Sequence, residues 1–259
     1  MRMQWDPQRY LTFAGERARP FVDLIGRIQA EDPRTVVDLG CGPGNMTALL
    51  AQRWPTARVS GLDSSPEMIE QARREVPGID FTVADLRDWT PPEPVDVLVS
   101  NAVLQWIPDH LSLLPRLVGA LAPGGWLAFQ VPGTGDAPSS TVIRELAAEA
   151  PYREHTARTA RLLAHDPQDY LVALAGLGCR VDAWETTYLH VLSGPDPVFT
   201  WVSGTGARPV LQALPEELRE PFTTEAKARL RAAYPEIGYD DSAATVLPFR
   251  RVFVCARRR

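Results

Sequence analysis

The stretch Val36-Val37-Asp38-Leu39-Gly40-Cys41-Gly42-Pro43-Gly44-Asn45 joins an apolar run to a cluster of glycines, and further carboxylates follow at Asp63 and Asp85. Glycines let a backbone come within contact distance of a ligand that any Cβ would push away. A helix starting at Asn45 offers its free N–H groups to the same ligand. A carboxylate ending the next strand, Asp63, suits both hydroxyls of a ribose. These residue types in this order fit recognition of a nucleoside cofactor. Spacing narrows the class. In a G-x-G-x-x-G dinucleotide motif counted from Gly40, the third glycine would fall at Asn45, so Pro43-Gly44 makes a wider loop and disfavours a pyrophosphate cradle. A P-loop is excluded because Gly-Lys-Ser/Thr is absent and the one lysine is Lys227.

The elements that must position these groups are legible from periodicity and breakers. Strands are predicted near Thr35–Leu39, Arg58–Asp63, Ile79–Ala84, Val95–Asn101 and Trp126–Val131, with helices near Asn45–Trp54, Pro66–Glu75 and His110–Leu121. Ser65 and Asp109 are the expected helix caps, and Ser64 fits the same role. This alternation marks a parallel α/β sheet with crossover helices. It stops after Pro132. From there Ser139–Leu177 reads as mostly helical, Arg180–Leu192 as a strand, Pro195–Tyr234 as helical with breaks at Gly204-Thr205-Gly206 and Pro215, and Thr245–Ala256 as a final strand. Asp85, followed by Leu86, closes the third strand, where a carboxylate suits an adenine amino group. Ser100 to Trp106 closes the fourth, at the edge where ligands of open α/β sheets gather.

Composition removes other classes. The 259 residues carry a net charge of −5, which argues against a nucleic-acid binder. Arg257 to Arg259 read as a solvated tail. Cys41, Cys179 and Cys255 lack C-x-x-C spacing, so neither a disulfide framework nor a zinc site is indicated. No apolar run approaches the ~20 residues of a membrane span, no signal segment opens the chain, and a cytoplasmic protein is expected.

With Asp38, Asp63 and Asp85 in series, the glycine turn resembles motif I of the class I S-adenosylmethionine-dependent methyltransferases. Those that methylate a base nitrogen carry an Asn/Asp-Pro-Pro-aromatic turn after the fourth strand. Here Ala102-Val103 replaces the prolines, against a nucleobase substrate. Trp5 to Tyr10 with Arg17, Arg19, Pro20 and Phe21, SNAVLQW at Ser100 to Trp106, TTYLHVLSGPDPV at Thr186 to Val198, GTGARP at Gly204 to Pro209 and LPFRRVFVCARR near the end together resemble the trans-aconitate 2-methyltransferase family over nearly the full length. Gln105 stands where many relatives are expected to carry His, which argues against a general-base role there.

The resemblance implies a Rossmann-like seven-stranded sheet with its final strand antiparallel beside the fifth, a helical lid and an N-terminal helical cap. Residues 1–259 would then be one methyltransferase domain: cap 1–30, cofactor core 31–135, lid 136–178 and 193–243, and final strands 179–192 and 244–259. The implied cofactor is S-adenosylmethionine without a metal, with Asp38 holding its methionyl part. Gly40, Cys41, Gly42, Gly44, Asn45, Asp63, Ser64, Ser65, Met68, Asp85, Leu86, Asn101 and Ala102 complete that site. The implied substrate is a small polycarboxylate, ionised at neutral pH, so no general base and no catalytic residue in the proton-transfer sense is needed; the alternatives are a methyltransferase for another small acid or natural product and a non-catalytic cofactor-binding protein. Arginine suits carboxylates that are not methylated. Arg208 leads, followed by Arg19, then Arg17 and Arg250, with Tyr10, Gln105, Trp106, Tyr188 and His190 as hydrogen-bonding or wall residues. Trp184 is expected in the core, His155 and His165 on the surface. A monomer is expected.

Overall fold

Val36 and Val37 are β-branched and fully compatible with a strand covered on both faces, and they form the middle of β1 (Thr35–Leu39) in the computed structural model, which describes residues 18–159, 164–240 and 242–259. Strands follow at β2 (Arg58–Asp63), β3 (Asp80–Val83), β4 (Val95–Asn101), β5 (Leu121–Pro132), β6 (Cys179–Ser193), β7 (Glu236–Tyr239) and β8 (Ser242–Arg258). The helices are α1 (Arg19–Gly26), α2 (Asn45–Arg53), α3 (Pro66–Glu75), α4 (Leu114–Gly119) and α5 (Pro138–Ala147). They continue as α6 (Arg153–Thr156), α7 (Pro167–Gly176), α8 (Pro197–Ser203), α9 (Arg208–Ala213) and α10 (Glu216–Ala233).

The sheet order is β3-β2-β1-β4-β5-β8-β6. β1 to β5 pair in parallel, and β8 lies antiparallel beside β5 with Phe129 opposite Val254, the arrangement expected for the last strand. The eighth strand, β7, is an addition to the seven expected. It folds back on β8 as a hairpin through Asp240 at φ +45°, and all four of its residues are exposed, so no buried apolar alternation announced it. The predicted helix His110–Leu121 is also corrected. His110–Leu113 is a 3₁₀ turn and α4 starts afresh with Pro115 in its first turn, because proline lacks the N–H that would continue a helix from behind. Asp109 sits at φ +52° and does not cap it with its side chain. Ser65 does cap α3, its hydroxyl accepting from Met68 N at 3.2 Å.

The chain forms two compact units. The first holds residues 18–132, His165–Thr186 and Arg251–Arg259, so α7, expected in the lid, belongs to it. Its core packs Leu39, Leu98, Phe129, Val252 and Val254 with Leu114, Leu117, Tyr170 and Leu174. Burying each such side chain favours folding by about 1.5–3 kcal/mol. His165, expected on the surface, is half-buried. Its N–H donates to the Tyr170 hydroxyl at 3.2 Å, and that hydroxyl also lies 2.7 Å from His110 Nε2. Trp184 stacks on Phe253 with ring centroids 4.9 Å apart.

The second unit holds Gly133–Ala164 and Thr187–Arg250. α5, α8, α9 and α10 pack around Ile143, Leu146, Val198, Val202, Phe222 and Leu230, and Ser139 N donates to the Tyr234 hydroxyl at 3.0 Å. No helix among the described residues is long and apolar enough to cross a membrane.

Candidate active site

The glycine turn separates two uses of glycine. Gly40, Gly42 and Gly44 all have positive φ, at +77°, +54° and +83°. A Cβ on Gly40 would lie 2.3 Å from Val103 Cγ2, and one on Gly44 would lie 2.8 Å from Phe81 Cζ, so these two also serve close packing. At Gly42 nothing stands within 4 Å of that position, leaving open space beside the backbone. The turn is tied to β2, since Gly40 N and Cys41 N both donate to Leu62 O, at 2.7 and 2.9 Å. Cys41 packs with Ile69, Ala72 and Phe81. Burial, then the Asp38 and Asp63 carboxylates, push its thiol far up, so it acts as a neutral wall.

The expected carboxylates sit in three different environments. Asp63 is half-buried and accepts from Gly42 N and Ser65 N, both at 2.9 Å, one on each oxygen. Each oxygen keeps a lone pair for a ligand hydroxyl. Asp38 is 1% exposed and accepts from Thr47 Oγ1 at 2.7 Å. Burial pushes its pKa up to about 7, against the pull of that hydroxyl and with a further push from Asp63. Asp85 is gripped by Arg87, whose Nη2 lies 2.6 Å from Oδ2 and whose Nε and backbone N lie 3.0 and 2.8 Å from Oδ1. This clamp lowers the Asp85 pKa to about 2. Leu86 beside it is buried, while Asn45, Ser64 and Met68 are exposed.

At the end of β4 the backbone turns sharply, with Ala102 at φ +58°. Gln105 is 3% exposed, and its Nε2 donates to Ala102 O at 2.6 Å. Its Oε1 is buried with no hydrogen-bond partner among the described residues. Trp106 is 41% exposed. Asn101 Oδ1 accepts from Gln130 Nε2 at 2.6 Å, and Gln130 Oε1 accepts from Arg251 Nη1 at 3.2 Å.

The remaining expected substrate residues are divided between the two units. Tyr10 and Arg17 lie outside the described residues. Arg19 is exposed at the start of α1 in the first unit. In the second unit Arg208 is exposed at the start of α9, and Arg250 is half-buried. Tyr188 and His190 are buried there, with the His190 ring 4.5 Å from Trp201 and 5.8 Å from Phe249. Sequence reasoning missed Thr47, Arg87, Gln130 and Arg251. Only Arg251 left a trace: in Arg250-Arg251 inside the final strand, period-two alternation sends one of the two inward.

Residues 36–125 match the family model described as a methyltransferase domain. A Streptomyces avermitilis protein named trans-aconitate 2-methyltransferase is 51% identical, with 98% of this chain and 97% of that protein aligned. The chain belongs to the trans-aconitate 2-methyltransferase family. A Rhodococcus jostii protein of the same name is 48% identical, with 98% of this chain and 99% of that protein aligned. Among solved structures, a Bacillus protein named YcgJ superposes with a TM-score of 0.57 at 12% identity, covering 91% of this chain and 96% of that one. A Haemonchus contortus phosphoethanolamine N-methyltransferase, solved with S-adenosylhomocysteine, gives a TM-score of 0.55 at 16% identity, covering 92% of this chain and 52% of that one. These distant likenesses concern the fold. Membership of the trans-aconitate 2-methyltransferase family makes this chain an enzyme, an S-adenosylmethionine-dependent methyltransferase.

Proposed function

We propose that the enzyme forms a monomethyl ester of trans-aconitate or a closely related small polycarboxylate by direct in-line attack of a substrate carboxylate. The observation that carries this reading is the extent of the match. Relatives of that name align over 98% of the chain, so the likeness includes the second unit as well as the methyltransferase core at 36–125. The residues present also fit the cofactor. Open space beside Gly42, the free lone pairs of Asp63 and a buried, weakly satisfied carboxyl at Asp38 suit close backbone contact, a ribose diol and a methionyl ammonium. S-adenosylmethionine, when bound, supplies a methyl group on a sulfonium.

The work of the chain is then alignment and charge. Asp63 holds the ribose, Asp38 the ammonium, Asp85 and Leu86 the adenine edge, and Asn101 and Ala102 border the methyl-transfer position. The attacking carboxylate, with an ordinary pKa near ~4, is already ionised at pH 7, so no side chain removes a proton. Holding oxygen, methyl carbon and sulfur nearly collinear supplies several kcal/mol of barrier lowering. Arg208, Arg19 and Arg250 are assigned to the carboxylates that are not methylated, because a planar guanidinium fits a carboxylate with two parallel hydrogen bonds.

Methyl-transfer assays across di- and tricarboxylates, with mass detection of the ester, test the reaction and substrate together. Trans-aconitate is expected to be the preferred acceptor in a cytoplasmic, metal-free, monomeric enzyme. Turnover only with unrelated small acids would replace the substrate, and no turnover would sink the enzyme reading. Arg208→Ala is expected to raise the KM for trans-aconitate about tenfold or more, the worth of a charged hydrogen-bond pair, while S-adenosylhomocysteine binds as before. An unchanged KM would remove Arg208 from the site.

A further inference from the structure

The two amide side chains between Arg251 and β4 have a fixed orientation. Heavy-atom geometry alone does not tell the oxygen of an amide from its nitrogen; the hydrogen-bond partners do. Arg251 carries only donors. The group of Gln130 that meets Arg251 Nη1 at 3.2 Å is therefore its oxygen. The nitrogen of Gln130 is left to face Asn101, so the atom of Asn101 that it meets at 2.6 Å is Oδ1. Gln130 is 1% exposed and Arg251 is 8% exposed, so water does not compete for these bonds. Asn101 is half-buried, and its Nδ2 has no hydrogen-bond partner among the described residues.

We propose that Asn101 Nδ2 is a recognition group for a carboxylate of the acceptor substrate at the end of β4, and that Gln130 and Arg251 are positioning residues that keep its donors facing outward. This assignment rests on the proposed carboxyl methylation and names a residue that selects for it. An attacking amine would need an acceptor for its N–H, and Asn101 has its only acceptor turned inward. A carboxylate needs donors, and Asn101 presents two on Nδ2. The chain of amides starts at a buried cation, so each amide polarises the next and strengthens the terminal donor.

Gln130→Glu reverses the relay with little change of shape. The carboxylate introduced there still accepts from Arg251 but has no donor for Asn101, so the Asn101 amide turns its Nδ2 inward and presents Oδ1. Calorimetry with trans-aconitate, on protein loaded with S-adenosylhomocysteine so that no methyl transfer occurs, reads the consequence. Trans-aconitate is expected to bind about tenfold or more weakly to Gln130→Glu, with S-adenosylhomocysteine affinity within about twofold of the parent. Gln130→Met frees Asn101 without inverting it, and is expected to lose less. Asn101→Asp, which reverses polarity at the tip without touching the interior, is expected to weaken trans-aconitate binding as much as Gln130→Glu; the unchanged S-adenosylhomocysteine affinity is the control for the Gln130 variants alone, since Asn101 also borders the cofactor. A packing role would instead make Met at least as damaging as Glu. That ranking, or unaltered trans-aconitate binding in Gln130→Glu and Asn101→Asp, overturns the relay while leaving carboxyl methylation standing. A parent enzyme that neither binds nor methylates any carboxylic acid overturns both.

Discussion

One aspartate, Asp38, stands in the last two residues of β1 and another, Asp85, two residues past the end of β3, and their surroundings drive the two apart. Asp38 is enclosed, holds one neutral hydroxyl from Thr47, and keeps its proton up to about pH 7. Asp85 is partly open, filled by the Arg87 guanidinium and backbone N–H, and is ionised down to about pH 2. Residue type and sheet edge are the same; availability is not. A buried, under-satisfied carboxyl gains by receiving a cation, which is what a methionyl ammonium offers. A carboxylate already accepting four contacts receives an adenine amino group only by sharing or displacing one of them.

Asp38→Asn breaks this contrast with the largest expected effect. Folding raises the Asp38 pKa from 3.8 to about 7, so the folded state binds the proton more tightly. Stability from this group is full below pH 3.8 and is lost as pH rises to about 7, a loss of about 4 kcal/mol. The neutral amide does not titrate. Thermal or denaturant unfolding is expected to show Asp38→Asn gaining on the parent from pH 4 to pH 8, while S-adenosylmethionine affinity falls about 100-fold. Parallel pH dependences in the two proteins would refute the buried-acid account.

The next effect stays at the β1 end. Gly40→Ala places a methyl against Val103 as well as forcing a positive φ, and a loss of about 3 kcal/mol in unfolding free energy is expected. Gly42→Ala meets only the backbone strain and is expected to cost about 1 kcal/mol, yet its methyl occupies the open side of the turn and weakens cofactor binding more than stability. If the two variants unfold alike, packing against Val103 is not what Gly40 serves.

The smallest effect tests the β3 end. Arg87→Ala is expected to let the Asp85 pKa climb from about 2 toward 3.8, followed by NMR titration of the carboxyl. The pair is largely exposed, so the stability change at pH 7 should stay below about 1 kcal/mol. That contribution is present above the unfolded pKa and disappears as pH falls through about 2.

What the sequence reveals follows the range of the interactions involved. β1, β2 and β4 begin and end where pattern and breakers put them, and Ser65 caps α3 over three residues. β5 runs further than its apolar stretch, because Ala122-Pro123-Gly124-Gly125 reads as a turn but is absorbed by a register shift opposite Val95–Val97. The glycine turn and its partner Asp63 are visible because the motif that proposes them for the cofactor is local. Gln130 and Arg251 are not, since their hydrogen bond spans 121 residues of sequence. Arg87 is hidden for the opposite reason: two residues from Asp85, it looks like any surface arginine until the side chains are seen to meet.

Val103 occupies the space that a side chain at position 40 would need. The turn after β1 and the loop after β4 are thus complementary halves of one volume. A branched residue at 103 adds a steric demand for glycine at 40 to the one its positive φ already makes, and a smaller residue at 103 would relax only the first. Among relatives glycine should therefore persist at 40 even where a smaller residue stands at 103. A laboratory search for new acceptor specificity in the Ala102–Trp106 loop should leave Val103 untouched, or risk loosening the cofactor turn along with it.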